Sequence, residues 1–208
     1  MDEDGAKVWL TDLGVSRETH DRLDQFVAML REENARQNLV SAASLDQVYV
    51  RHIVDSVQLW RLAPDAKSLL DLGSGAGLPG LILAILSDAP VTLVESRRLR
   101  AAWLQRAAET LRLGNVKVEA SRLELVKSFP AAVITARAFA PLPMLFALAH
   151  RFSTEETLWI LPKGRSAAEE LASVAATWHG QFHMEPSVTD PDSAIILARH
   201  VKPKGVRR

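Results

Sequence analysis

The chain contains no cysteine among its 208 residues. Disulfides, cysteine-ligated zinc, iron–sulfur clusters and thiolate catalysis are excluded together. An excess of one charge is also missing, since 25 basic residues balance 25 acidic ones. A chain without net charge is not built to coat nucleic acid indiscriminately. Long apolar runs are absent too: the most apolar stretch, Leu78–Leu86, is far too short to span a bilayer. The N-terminus, MDEDGAKVWL, is acidic where an export signal would be basic. The expected location is therefore the cytoplasm, with no membrane partner. The six histidines are scattered, and no metal site is expected.

What is present suits one soluble domain of ordinary size, with 48% apolar and 24% charged residues. Two basic clusters stand out: Arg97-Arg98-Leu99-Arg100 with Arg106, and a C-terminal run with Lys202, Lys204, Arg207 and Arg208. Either cluster reads equally as a solvated surface or as a local contact for phosphate.

The first third has helical spacing. Ser16 is placed to cap a helix carrying Leu23, Phe26, Val27 and Leu30. Ser44, with Gln47 three residues on, reads as a capping box opening a helix to about Trp60. From residue 68 short strands alternate with helices. Strands are expected at 68–72, 91–95, 116–120, 132–135 and 158–161, and helices at 79–86, 99–113, 142–150 and 167–178. Apolar runs at 181–184 and 194–198 close the chain as a strand pair, turning at Asp190-Pro191-Asp192. The expected fold is α/β: a Rossmann-like, mostly parallel sheet with one antiparallel strand near its C-terminus. This is the class I S-adenosylmethionine-dependent methyltransferase pattern. The boundaries expected are a helical extension over 1–64, the Rossmann-like domain over 65–201 and a basic tail over 202–208.

The central motif, Asp71-Leu-Gly73-Ser-Gly75-Ala-Gly77-Leu78-Pro79-Gly80, follows a strand and opens a helix, the context of a nucleotide-binding loop. In a dinucleotide fingerprint the third glycine would fall at position 78, which is leucine. A nicotinamide-dependent oxidoreductase is thus the lesser reading. Asp/Glu-x-Gly-x-Gly-x-Gly is the methyltransferase form, so the expected cofactor is S-adenosylmethionine, seated at Gly73, Gly75 and Gly77. Glu95 ends the second strand, where a carboxylate can accept from both ribose hydroxyls. After the third strand, Leu123 and Glu124 are placed for the adenine edge. An ordinary helix start, with Ser121 as its cap, fits those residues as well.

Beyond the fourth strand stands Thr135-Ala136-Arg137-Ala138-Phe139-Ala140-Pro141. It lacks the Asn/Asp-Pro-Pro-aromatic signature of amine methylation. Pyrimidine C5 chemistry needs a cysteine nucleophile, and ribose methylation needs a base, for which Lys163 is the one candidate. Guanine N7 asks least, because its lone pair is free at neutral pH and only alignment is required. No general base is then expected, and no catalytic residue is assigned.

Three blocks resemble one family: Gln37-Asn38-Leu39-Val40 with Arg51-His52-Ile53-Val54-Asp55-Ser56; Leu70–Gly80; and Thr135–Ala140 with Leu161-Pro162-Lys163-Gly164. The chain resembles the bacterial 16S rRNA guanine-N7 methyltransferases, the RsmG or GidB family, from about residue 22 to 200. The resemblance implies N7 methylation in the 530 loop of 16S rRNA, as free RNA or within the 30S subunit. It also implies cofactor contacts at Gly73, Leu78, Leu123, Glu124 and Arg137. Two departures concern the site's edge: Pro130-Ala131-Ala132-Val133 replaces a usual F-D-x-V, and Ala136 replaces a usual serine.

His52, Asp55 and Ser56 fall at helical spacing on one face, either bordering the site with Asn38 or forming a buried polar junction. Arg137 is placed to pair with the cofactor carboxylate, with an RNA phosphate or with a structural carboxylate. Nothing in the sequence demands a dimer, and a monomer is expected. Other readings are a same-fold methyltransferase acting on another RNA site or a small molecule, and a non-catalytic RNA-binding module.

Overall fold

A computed structural model describes residues 1–205. Its centre is a seven-stranded sheet in the order β3-β2-β1-β4-β5-β7-β6. The strands are β1 Leu69–Leu72, β2 Val91–Val94, β3 Val116–Glu119, β4 Val133–Ala136, β5 Leu158–Lys163, β6 Trp178–Pro186 and β7 Ala194–Pro203. Strands β1 to β5 pair in parallel, and β7 pairs antiparallel with both β5 and β6. This is the class I methyltransferase sheet expected from the sequence.

Alternation along each strand divides the core between two faces. Leu69, Val91, Leu93, Val133 and Ile160 meet one apolar cluster, while Leu70, Leu72, Val94, Ile134 and Trp159 meet another. The first face is covered by α5 Gly80–Leu86, α6 Arg98–Thr110 and the N-terminal helices. The second is covered by α7 Leu142–Ala149 and α8 Ala167–Val174. Ala6, Leu10, Leu23, Phe26 and Leu30 of the extension share one core with Leu81 and Leu104.

The extension begins with α1 Glu3–Asp12 and α2 Arg17–Gln37. Ser16 caps α2 as expected, accepting from Thr19 N–H at 3.2 Å. The capping box at Ser44 does not form. Ser41 is the cap of α3 Ala42–Asp46, its Oγ accepting from Ser44 N–H at 3.3 Å. The chain leaves helical geometry at Gln47 and restarts as a π-helical turn, Tyr49–Val54, running into α4 Asp55–Trp60. The cap of that restart comes from far away: Glu3 of α1 accepts from Tyr49 N–H at 3.1 Å and Val50 N–H at 2.9 Å.

Two expected boundaries near the C-terminus move. The helix begun at Ala167 ends at Val174, and Trp178 starts β6. Its ring packs 5.5 Å from Phe146, so apolar packing takes Trp178 into the sheet. The supposed basic tail is partly strand, since Lys202 lies in β7 and pairs with His179. Arg207 and Arg208 lie outside the described residues. Among the described residues no helix is long and apolar enough to cross a membrane.

Candidate active site

The parallel strands all end on one edge, and the strand order reverses beside β1, the place where open α/β sheets bind ligands. The glycine loop leaves β1 there. Gly73 and Gly77 have φ of +66° and +92°, a backbone region that side chains disfavour. Space closes both positions as well. A Cβ on Gly73 would meet the Phe139 ring at 2.6 Å, and one on Gly77 would meet Leu81 at 2.5 Å. Gly75, between them, is also left-handed (φ +53°), and a Cβ there would make ordinary contacts with the Gly73 carbonyl oxygen at 3.5 Å and Arg100 Nη1 at 3.7 Å. Leu78 is buried behind the loop, and Pro79 occupies the N-cap of α5 rather than its first turn.

Glu95 is 6% exposed at the end of β2. Its Oε2 accepts from Gly75 N–H at 3.0 Å and its Oε1 from Arg97 N–H at 2.7 Å. The sequence suggested a ribose contact, and the structure adds a second task, bracing the glycine loop. Each oxygen retains a lone pair for a diol. Asp71 is more deeply buried, its Oδ1 accepting from Thr135 Oγ1 at 2.7 Å while Oδ2 finds no donor. Burial pushes this carboxyl up to about 6. Leu123 and Glu124 lie in a short 3₁₀ turn, with Leu123 buried and Glu124 exposed beside Arg122 at 2.9 Å. Ser121 caps no helix there, its Oγ turning to the Arg122 carbonyl.

Beside the loop opens a cleft of about 790 Å³, lined by His52, Asp55, Arg137, Phe139, Lys163 and Glu170 among others. Three ion pairs cross between its walls. Arg137 meets Asp55 at 3.2 Å, Lys163 meets Glu170 at 2.7 Å, and Arg51 meets Asp190 at 3.2 Å. Lys163 Nζ also donates to the Ala140 carbonyl at 3.1 Å, so the amine is tied to two acceptors in the cleft wall. Burial works to raise the Glu170 carboxyl, but Lys163, the Leu142 N–H and Ser166 outweigh it and hold the group low. His52 is buried, its Nδ1 accepting from Arg137 Nη2 at 3.0 Å and its Nε2 donating to Ser44 Oγ at 3.0 Å. Burial and the Arg137 charge push the imidazole down to about 4, so it is neutral at working pH.

The cleft thus gathers His52, Asp55, Arg137 and Lys163, which lie between positions 52 and 163 of the sequence. Two expected neighbours are elsewhere. Asn38 is the exposed C-cap of α2 in left-handed geometry (φ 46°), a position asparagine tolerates, and its successors Leu39 and Val40 reach the cleft instead. Ser56 is buried and donates to the carbonyl of His52, four residues back, at 2.7 Å, a bond that turns its hydroxyl onto its own helix. Phe139, Gln58, Glu170 and Thr189 were not singled out from sequence. Only the aromatic at 139, in the segment after β4, carried a local signal.

A family model described as rRNA small subunit methyltransferase G matches residues 19–191. The ribosomal RNA small subunit methyltransferase G of Novosphingobium aromaticivorans is 52% identical over 199 residues, covering 93% of this chain and 86% of that one. Its counterpart in Rhizorhabdus wittichii is 48% identical over 209 residues, covering 99% and 96%. Among solved structures, an O-methyltransferase from Bacillus cereus in complex with SAH superposes with a TM-score of 0.61 at 17% identity, over 92% of this chain and 95% of that chain. The chain belongs to the rRNA small subunit methyltransferase G family and has the fold of the S-adenosylmethionine-dependent methyltransferases.

Proposed function

We propose that this chain methylates N7 of a guanine in the 530 loop of 16S rRNA, acting in the cytoplasm as a monomer on RNA within the small subunit. Family membership supplies the class of reaction, an S-adenosylmethionine-dependent methylation of small-subunit rRNA. The observation that carries the choice of atom is the cleft itself. Its lysine is paired with Glu170, its histidine is neutral with Nδ1 occupied by Arg137, and its carboxylates are engaged by cations. A target that first had to lose a proton would find no free base. Guanine N7 presents a lone pair directly and needs alignment alone.

The residues fit the cofactor. The loop of Gly73, Gly75 and Gly77 would carry its methionine end, with Leu78 behind. Glu95 would accept from the ribose hydroxyls, and Leu123 and Glu124 would border the adenine. Arg137 would meet the carboxylate. When bound, the cofactor supplies a methyl group on a positively charged sulfur. Phe139, whose ring lies against Gly73, would separate that loop from the cleft bordered by His52, Asp55 and Lys163.

The test is methyl transfer from labelled S-adenosylmethionine to 30S subunits, and to free 16S rRNA, from cells lacking this gene. Nuclease digestion and mass spectrometry should return 7-methylguanosine in the 530-loop fragment. A different nucleoside, or a different fragment, would overturn the proposed target.

A further inference from the structure

We propose that Asp55 and His52, both supplied by the N-terminal helices, are positioning residues that hold Arg137 for its ligand, with Asp55 also tying it to the β6–β7 loop. Arg137 Nη1 donates to Asp55 Oδ2 at 3.2 Å, and Nη2 donates to His52 Nδ1 at 3.0 Å. A guanidinium has five N–H groups, so three are left unused by these two contacts. The imidazole is an acceptor here because its other nitrogen donates to Ser44 at 3.0 Å.

Asp55 reaches further than Arg137. Its Oδ1 accepts from Thr189 Oγ1 at 3.0 Å and from Gln58 Nε2 at 3.0 Å. Gln58 in turn donates to Ser187 Oγ at 3.1 Å and accepts from Val188 N–H at 3.0 Å. One carboxylate therefore serves the π-turn and α4 that carry it, the end of β4 and the loop between β6 and β7. An arginine left free in a cleft has many rotamers to lose when it binds an anion. An arginine fixed beforehand loses fewer, and the complex gains by the difference.

This inference deepens the proposed function and rests on its reading that Arg137 meets an anionic group. The test is a double-mutant cycle of wild type, Asp55→Asn, Arg137→Ala and the double variant. Two quantities are read: the Kd for S-adenosylhomocysteine by calorimetry, and KM against kcat with 30S subunits lacking the methyl group. Arg137→Ala and Asp55→Asn should each weaken S-adenosylhomocysteine about tenfold, the loss typical of a charge-assisted hydrogen bond. The double variant should bind no worse than Arg137→Ala alone, and Asp55→Glu should recover part of the loss. Melting curves confirm that each variant is folded.

If the Asp55 loss persists in full in the Arg137→Ala background, Asp55 acts independently of the arginine and the inference is overturned. An Asp55→Asn protein that behaves as wild type also overturns it. If Arg137→Ala spares S-adenosylhomocysteine but raises KM for the subunit, only the cofactor role of Arg137 fails, and the cycle is judged on KM by the same criterion. Should Arg137→Ala move neither quantity, the positioning role falls.

Discussion

Arg137 Nη2 donates to His52 Nδ1 across 3.0 Å, and the pairing requires a neutral imidazole. The donor on the far side, Nε2–H to Ser44, fixes the tautomer. A proton added at Nδ1 would face a guanidinium inside a buried site.

A pH dependence follows. His52 is lowered from 6.5 to about 4 by burial and by Arg137. Between those values the unfolded chain binds a proton that the folded chain refuses. The contribution of neutral His52 is therefore present above pH 6.5 and is lost as pH falls towards 4. Integrated over that interval it amounts to about 3 kcal/mol. Urea unfolding of wild type and His52→Gln from pH 7 to 4 should show wild type losing roughly this much relative to the variant. A difference independent of pH would mean that the imidazole is not held neutral.

Asp71 runs the opposite way. Burial raises it from 3.8 to about 6, so between those values the folded chain binds the extra proton. Its contribution is present below pH 3.8 and is lost as pH rises through 6, again about 3 kcal/mol in all. Asp71→Asn should therefore gain stability relative to wild type as pH rises from 4 to 7. The two groups oppose one another across most of this window, so wild type shows a shallow profile and each variant unmasks the other's slope. Parallel profiles for wild type and Asp71→Asn would contradict the raised carboxyl.

The glycine loop gives a steric prediction. Alanine at Gly73 would be strained by φ +66° and would drive its Cβ to 2.6 Å from Phe139. The backbone strain alone is about 1–2 kcal/mol. Gly73→Ala should lower the melting temperature, and because a free loop that shifts to relieve the strain must regain it on binding, S-adenosylhomocysteine should weaken about tenfold for 1.4 kcal/mol. Adding Phe139→Ala relieves the contact but not the strain, so stability should recover only in part. Full recovery would show that φ at this position is unimportant.

These sites differ in how visible they were in the chain itself. The loop from Asp71 to Gly80, its partner Glu95 and the strand alternation are short-range patterns, set by backbone freedom and by the period of two. The cleft is not. Asp55 meets Thr189 across 134 residues, and Gln58 meets Ser187 across 129. The π-turn that presents His52 is capped by Glu3, 46 residues before Tyr49. Local propensity carries no record of such pairings, which is why Ser44 was expected as a cap and Asn38 as a cleft residue. Arg137 was legible as a cation at a strand end, whereas its partner emerged only from the packing of α4 against the sheet.

The basic run after β2 offers an exposed cationic surface. Arg97 and Arg98 are exposed, and neither forms an ion pair among the described residues. The cleft cations, by contrast, each have a carboxylate partner, so they bring less net charge to a phosphate backbone. Two unpaired arginines beside the glycine loop would each release a counterion on meeting phosphate, contributing about 0.7–0.9 to the slope of log affinity against log salt. Arg97→Ala with Arg98→Ala should raise KM for 30S subunits and reduce that slope by about 1.4–1.8, while S-adenosylhomocysteine binds as before. An unchanged slope would assign these arginines to the solvated surface and move the RNA contact elsewhere. A loss of cofactor affinity would mean instead that the change had reached Glu95 through the Arg97 backbone.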